Sequence, residues 1–146
     1  MDSAQSMVVF TRRPHHRTPM AIANACFIGT LLTDVTYWRS AEMMWADFSA
    51  WLLFAGLVVG VLAVLAAIVD LLTGRLSGGS GPVWPYLLGS LVVLVISFFN
   101  ALVHSRDAWT SVVPTGLSLS AAAVIVLLLV GLLGWRSGGA QVEVVE

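Results

Sequence analysis

The run SAWLLFAGLVVGVLAVLAAIVDLL, Ser49 to Leu72, carries a single charged residue, Asp70, close to its end. A helix needs about 20 mostly apolar residues to cross the hydrocarbon core of a bilayer, and this run is long enough by itself. Two others match it: WPYLLGSLVVLVISFFNALVH, Trp84 to His104, and VVPTGLSLSAAAVIVLLLVGLLGW, Val112 to Trp135. A fourth, PMAIANACFIGTLLTDVTYW, Pro19 to Trp38, is more polar because it contains Asn24 and Asp34. The pattern predicts an all-α integral membrane four-helix bundle with spans at 19–38, 49–72, 84–104 and 112–135. Residues 1–18 then form a basic leader and residues 136–146 a disordered tail.

Composition points the same way. Of 146 residues, 58% are apolar and only 10% charged, with a mean hydropathy of +0.91, whereas soluble domains carry about 25% charged residues. One small domain fits the length. A net charge of −1 and the lack of a basic patch with interleaved aromatics exclude nucleic acid as a partner. The bilayer is the expected partner, together with another membrane protein or a second copy of the chain. The lone cysteine, Cys26, rules out an intramolecular disulfide and a multi-cysteine metal site. Arginines ahead of the first apolar run also suit a signal peptide, but the leader is long and no small-x-small site follows, so a retained span is the better reading.

Tryptophans mark the boundaries independently. Trp38, Trp45, Trp51, Trp84, Trp109 and Trp135 all fall at or just beyond a predicted helix end, where an amphipathic ring meets the headgroups. Arginines set the direction. Arg12, Arg13, Arg17, Arg75 and Arg136 flank one side, while Arg39 and Arg106 flank the other. Positive residues favour the cytoplasm, so both termini are expected inside, in the bacterial inner membrane. The Gly/Ser-rich TGRLSGGSGPV then forms a flexible inner loop; it has no P-loop lysine. No internal repeat stands out.

Helices in lipid associate through small residues and polar contacts rather than through hydrophobic drive. Gly56, Gly60, Ala63, Ala67 and Asp70 form one stripe on the second span, and Gly116, Ser120, Ala123, Leu127, Gly131 and Gly134 a looser one on the fourth. Both read as helix–helix contacts. Thr30, Thr33, Asp34 and Tyr37 share one face of the first span; Ser97, Asn100 and His104 share one face of the third. These two spans run in the same direction, so Asp34 and His104 are expected at similar depth, near the outer side. An ionisable residue inside a span is costly and usually faces the bundle interior. Three readings stand: a polar network joining the two helices, a functional pocket or proton-linked site, or an unpaired Asp34 reaching the interface. Asp70 lies at the opposite end, where Arg75 and the leader TRRPHHR are its candidate partners.

Other chemistries find little support. A b-type haem in a bundle needs two axial ligands at comparable depth. His15 and His16 precede the first span, while His104 ends the third, on the other side of a hydrocarbon core about 30 Å thick. His104 with Met43 or Met44 would need the outer loop to fold over the bundle. The HisHis pair has no further metal ligands at helical spacing. Cys26 has no histidine at its depth to activate it and reads as a small apolar residue. The inverted repeats and broken helices typical of transporters are absent from the pattern.

The segments HHRTPM, LLTDVTYW, GLVVGVLAVLAAIVDLL and NALVHSRDAW, within Pro14 to Trp135, resemble a bacterial membrane-protein family known as domain of unknown function 2231. The resemblance implies a small four-helix membrane protein in which Asp34, Asp70 and His104 occupy family-typical positions. Family members usually have a His-Pro-x-His-Pro-Met type leader. Here His15, Pro19 and Met20 match, but His16 replaces the first proline and Thr18 the second histidine. That departure removes a histidine on which ligation by the leader would depend. The resemblance implies architecture and carries no activity. The expected role is a non-enzymatic accessory or interaction subunit without a cofactor. The alternative is a redox component holding haem b, or a proton-coupled transport component, using the cluster around Asp34 and His104.

Overall fold

A computed structural model describes residues 15–74, 83–106 and 112–138, without the side chains of 83–84 and 134–138. It contains four helices, α1 (Arg17–Ser40), α2 (Met43–Leu72), α3 (Val83–His104) and α4 (Leu117–Gly138). All four are long and apolar enough to cross a membrane. The four-helix membrane architecture expected from the apolar runs is therefore what the chain adopts. The Gly/Ser loop with Arg75, the 139–146 part of the tail, Arg12 and Arg13, Asp107 and Trp109 lie outside the described residues.

The helices form a square. α1 packs against α2 and α4, and α3 packs against the same two. α1 and α3 are thus diagonal partners, and side chains joining them must pass through the centre of the bundle.

Helix boundaries depart from the apolar runs in two places. The second helix starts at Met43 rather than Ser49, which reduces the connection from α1 to Ala41 and Glu42. An apolar window does not register Met43–Phe48, but methionine and alanine favour helix whether or not they lie in lipid. The 30-residue α2 is about 45 Å long at 1.5 Å per residue, against about 30 Å of hydrocarbon. Trp51 consequently lies two turns inside the helix, 70% exposed and edge-on to Phe54. Ala41 ends α1 in the left-handed region (φ 56°) and donates its N–H to Tyr37 O at 2.8 Å. The fourth helix starts late: Val113 is extended (φ −118°, ψ 129°), as a residue before proline tends to be, and regular helix begins at Leu117.

The middle of the bundle is apolar. Ala23, Phe27, Leu53, Val93 and Ala123 form a buried layer. Small residues let α2 approach its neighbours: a β-carbon at Gly56 would stand 2.7 Å from the Phe27 ring, and one at Gly60 would stand 2.4 Å from Leu94. On α4 only the first part of the small-residue stripe does this. Gly116, Ser120 and Ala123 are buried, but Gly131 is exposed with nothing near its position. Among the described residues nothing makes the packing contact expected at Gly131, because this end of α4 presents that face away from the other helices. Outward-facing positions carry Leu62, Leu65, Phe98, Phe99 and Leu128, all about half exposed.

Candidate functional site

Two polar clusters sit at opposite ends of this apolar layer. The first lies where α1 and α3 end and α4 begins. Asp34 is fully buried. Its Oδ1 lies 3.0 Å from His104 Nε2, which crosses the bundle diagonal, and its Oδ2 accepts from the Ser120 hydroxyl of α4. Asn100 Nδ2 donates to Ser120 Oγ at 2.8 Å, and His104 Nδ1 lies 3.0 Å from the Asn100 carbonyl oxygen. Three helices are tied together by this one set of contacts.

A backbone carbonyl only accepts, so the contact of His104 Nδ1 with Asn100 O is a hydrogen bond when Nδ1 carries the proton. The other ring nitrogen faces a carboxylate oxygen, and a hydrogen is needed there too. Either Nε2 donates to ionised Asp34, or protonated Asp34 donates to Nε2. In both arrangements ring and carboxyl group together hold one proton more than a neutral imidazole beside a carboxylate.

The remaining first-span residues divide between neighbours. Thr30 is buried and donates back to Cys26 O at 3.0 Å. Thr33 shares its hydroxyl hydrogen between Gly29 O and Thr30 O, and meets Ser49 Oγ of α2 at 2.7 Å. Tyr37 is buried and donates to Met43 Sδ at 3.8 Å. Of the contacts among the described residues, that of Asp34 joins this stripe to the third helix. Ser97 and Asn100 are each 1% exposed, yet Ser97 Oγ and Asn100 Oδ1 have no partner among the described residues. Buried polar atoms in native proteins are nearly always satisfied, so these two mark a part of the polar face of α3 that the described residues leave unfilled.

The second cluster surrounds Asp70, near the end of α2 and fully buried. His16 donates its backbone N–H to Oδ2 at 3.2 Å and approaches the same oxygen with Nδ1 at 2.9 Å. His15 Nδ1 lies 3.1 Å from Oδ1. His16 is buried, while the His15 side chain is 63% exposed. Of the candidate partners for Asp70, the leader histidines make these contacts, and Arg75 lies outside the described residues. Among the described residues, no three His, Cys, Asp or Glu side chains converge as a metal site would require.

Ser120 and Ser49 were not singled out in the sequence as cluster members. Ser120 stands in a stripe of small residues, and its polarity there is the signal that identifies it. Its depth follows from α4 beginning at the end of the bundle where α1 finishes. Met43 and Met44 are about half exposed, and Met43 receives the Tyr37 hydroxyl. The methionine partner considered for His104 is therefore turned elsewhere, and both His104 ring nitrogens are engaged by oxygen.

Residues 12–141 match the family described as predicted membrane protein DUF2231. The chain belongs to that family. The match takes in the leader histidines, all four helices and both clusters. No curated protein and no solved structure matches the chain.

Proposed function

We propose that this DUF2231 protein is an accessory or interaction subunit of the bacterial inner membrane, with both termini in the cytoplasm and no catalysis of its own. One observation carries the reading. Asp34 and Asp70, the carboxylates within the apolar parts of the helices, are fully buried and held by histidines. They close the bundle rather than face a substrate, while large apolar side chains are left for lipid or another membrane protein. The test is purification in a mild detergent or nanodisc, followed by a visible spectrum and mass spectrometry. A colourless protein that co-elutes in fixed ratio with one membrane protein, and turns over nothing when isolated, is the expected result. Turnover by the isolated chain or a Soret band would refute it.

A proton-linked role is the second reading, favoured by the extra proton that the Asp34–His104 contact requires. Haem ligation is less well supported, because it would have to displace one of the two oxygen contacts of His104.

A further inference from the structure

Ser120 connects the carboxylate of Asp34 to more than one hydrogen arrangement. Its hydroxyl has two acceptors in reach, Asp34 Oδ2 and, at 3.1 Å, the Gly116 carbonyl oxygen. It also has a donor of its own, Asn100 Nδ2 at 2.8 Å. When Asp34 is ionised, Ser120 donates to it. When Asp34 carries the proton on Oδ1, toward His104 Nε2, Oδ2 is the carbonyl oxygen, and Ser120 can still donate to it or turn its hydroxyl hydrogen to Gly116 O. Both charge states of a buried carboxylate are therefore served without moving a heavy atom.

His104 supplies the other half. Its ring lies between two oxygens, Asn100 O and Asp34 Oδ1. With both nitrogens protonated, both contacts are hydrogen bonds. Remove one proton and either Nδ1 faces the carbonyl with a lone pair, or Nε2 faces the carboxylate with one. One bond of the pair is then lost.

We propose that Asp34, His104 and Ser120 form a site that binds and exchanges a single proton with the aqueous phase at the end of the bundle where α1 finishes. The step balances simply. A ring N–H bond or the Asp34 O–H bond breaks heterolytically, its electron pair stays on nitrogen or oxygen, and the proton leaves to water. Asp34 lies six residues from the end of α1, about 9 Å at 1.5 Å per residue, so the route out is short. Inference and accessory role are independent, since an accessory subunit can carry such a site or lack it.

Among the described residues, the surroundings leave few competing titrations. α1 also brings Tyr37, one turn on, bonded to Met43 Sδ. α2 brings Ser49 at this level and no charged side chain turned inward, for Glu42 and Asp47 are exposed. α3 contributes His104 and α4 only Ser120 and the Gly116 carbonyl. Arg39 and Arg106 are exposed at the helix ends.

Nitrogen NMR of histidine-labelled protein in nanodiscs tests the site without a partner. At neutral pH the His104 ring of the folded wild type should show an additional proton shared with Asp34. Its signals should change in one step as pH rises, with the helical circular-dichroism signal retained. The proton should exchange into deuterated water faster than the protein unfolds, and exchange should slow at least about threefold in Ser120→Ala. In Asp34→Asn the ring should hold one proton at neutral pH. If that variant does not fold, the wild-type titration and the Ser120→Ala exchange rate decide. His104 nitrogen signals that stay constant over the whole pH range in which the protein is folded, or exchange that occurs only on global unfolding, or a rate unchanged by Ser120→Ala, would overturn the proposal.

Discussion

Asp34 Oδ1 and His104 Nε2 stand 3.0 Å apart although 70 positions separate them in the chain, and their contact spans the diagonal of a four-helix square. Neighbouring helices in such a square can lean on small residues, but diagonal helices can meet only through side chains at the centre. The pair should therefore contribute to stability as a unit. Removing one member of a buried, hydrogen-bonded pair costs about 3–5 kcal/mol because the other is left unmatched. Asp34→Ala and His104→Ala should each lose an amount of that order in unfolding measurements. The double variant should cost less than the sum by about 1–3 kcal/mol. Additivity within about 0.5 kcal/mol would mean that the two side chains do not support each other.

Ser120 and Ser118 provide a matched comparison on α4. Ser120 is buried and serves Asp34 and Asn100, whereas Ser118 is exposed and bonds only back to Pro114 O. Deleting a hydroxyl that leaves buried partners unmet costs about 1–3 kcal/mol. Ser120→Ala is expected to fall in that range, and Ser118→Ala within about 0.5 kcal/mol of wild type. Equal thermal shifts for the two would remove Ser120 from the cluster.

Parts of this arrangement were legible in the sequence and parts were not, for physical reasons. The number of helices follows from four apolar runs, because lipid imposes a minimum length on each span. Asp34 and His104 could be brought to a common depth because helical spacing and span direction both act along the chain. Ser120 was harder to find, since a serine among Gly116 and Ala123 suits close packing as well as hydrogen bonding. The start of α2 was missed because Met43–Phe48 extends the helix past the hydrophobic boundary. Gly131 shows the opposite error: a small residue at the right spacing that faces outward. Periodicity defines a face, and only the neighbours decide whether the face is covered.

At the other end, His16 and His15 should differ in weight. His16 is buried and approaches Asp70 through both its backbone and its ring, whereas His15 approaches through a mostly exposed ring. His16→Ala leaves the buried Asp70 short of a donor and is expected to cost about 1–3 kcal/mol. His15→Ala should cost about half as much or less. A thermal melt of the two variants checks the order, and a larger loss for His15→Ala would reverse the ranking of the two histidines.

Gly56 and Gly131 separate a covered small-residue position from an open one. A β-carbon at Gly56 would approach the Phe27 ring to 2.7 Å and Cys26 Cβ to 3.1 Å, and neither is the free end of a flexible chain. The ring sits in the central apolar layer and is 2% exposed, so it has little room to retreat. Overpacking of this kind typically costs about 1–3 kcal/mol, which is the expected loss for Gly56→Ala. At Gly131 an added methyl meets nothing within 4 Å, and alanine is the better helix former by up to about 1 kcal/mol. Gly131→Ala should therefore be neutral or stabilising. Gly60 falls between them, since its closest neighbour is Leu94 Cδ2, the end of a side chain that can change rotamer. Unfolding measurements on the three alanine variants should place Gly56 as the most damaging, Gly60 next and Gly131 last. A destabilised Gly131→Ala would indicate that this face of α4 is covered in the membrane.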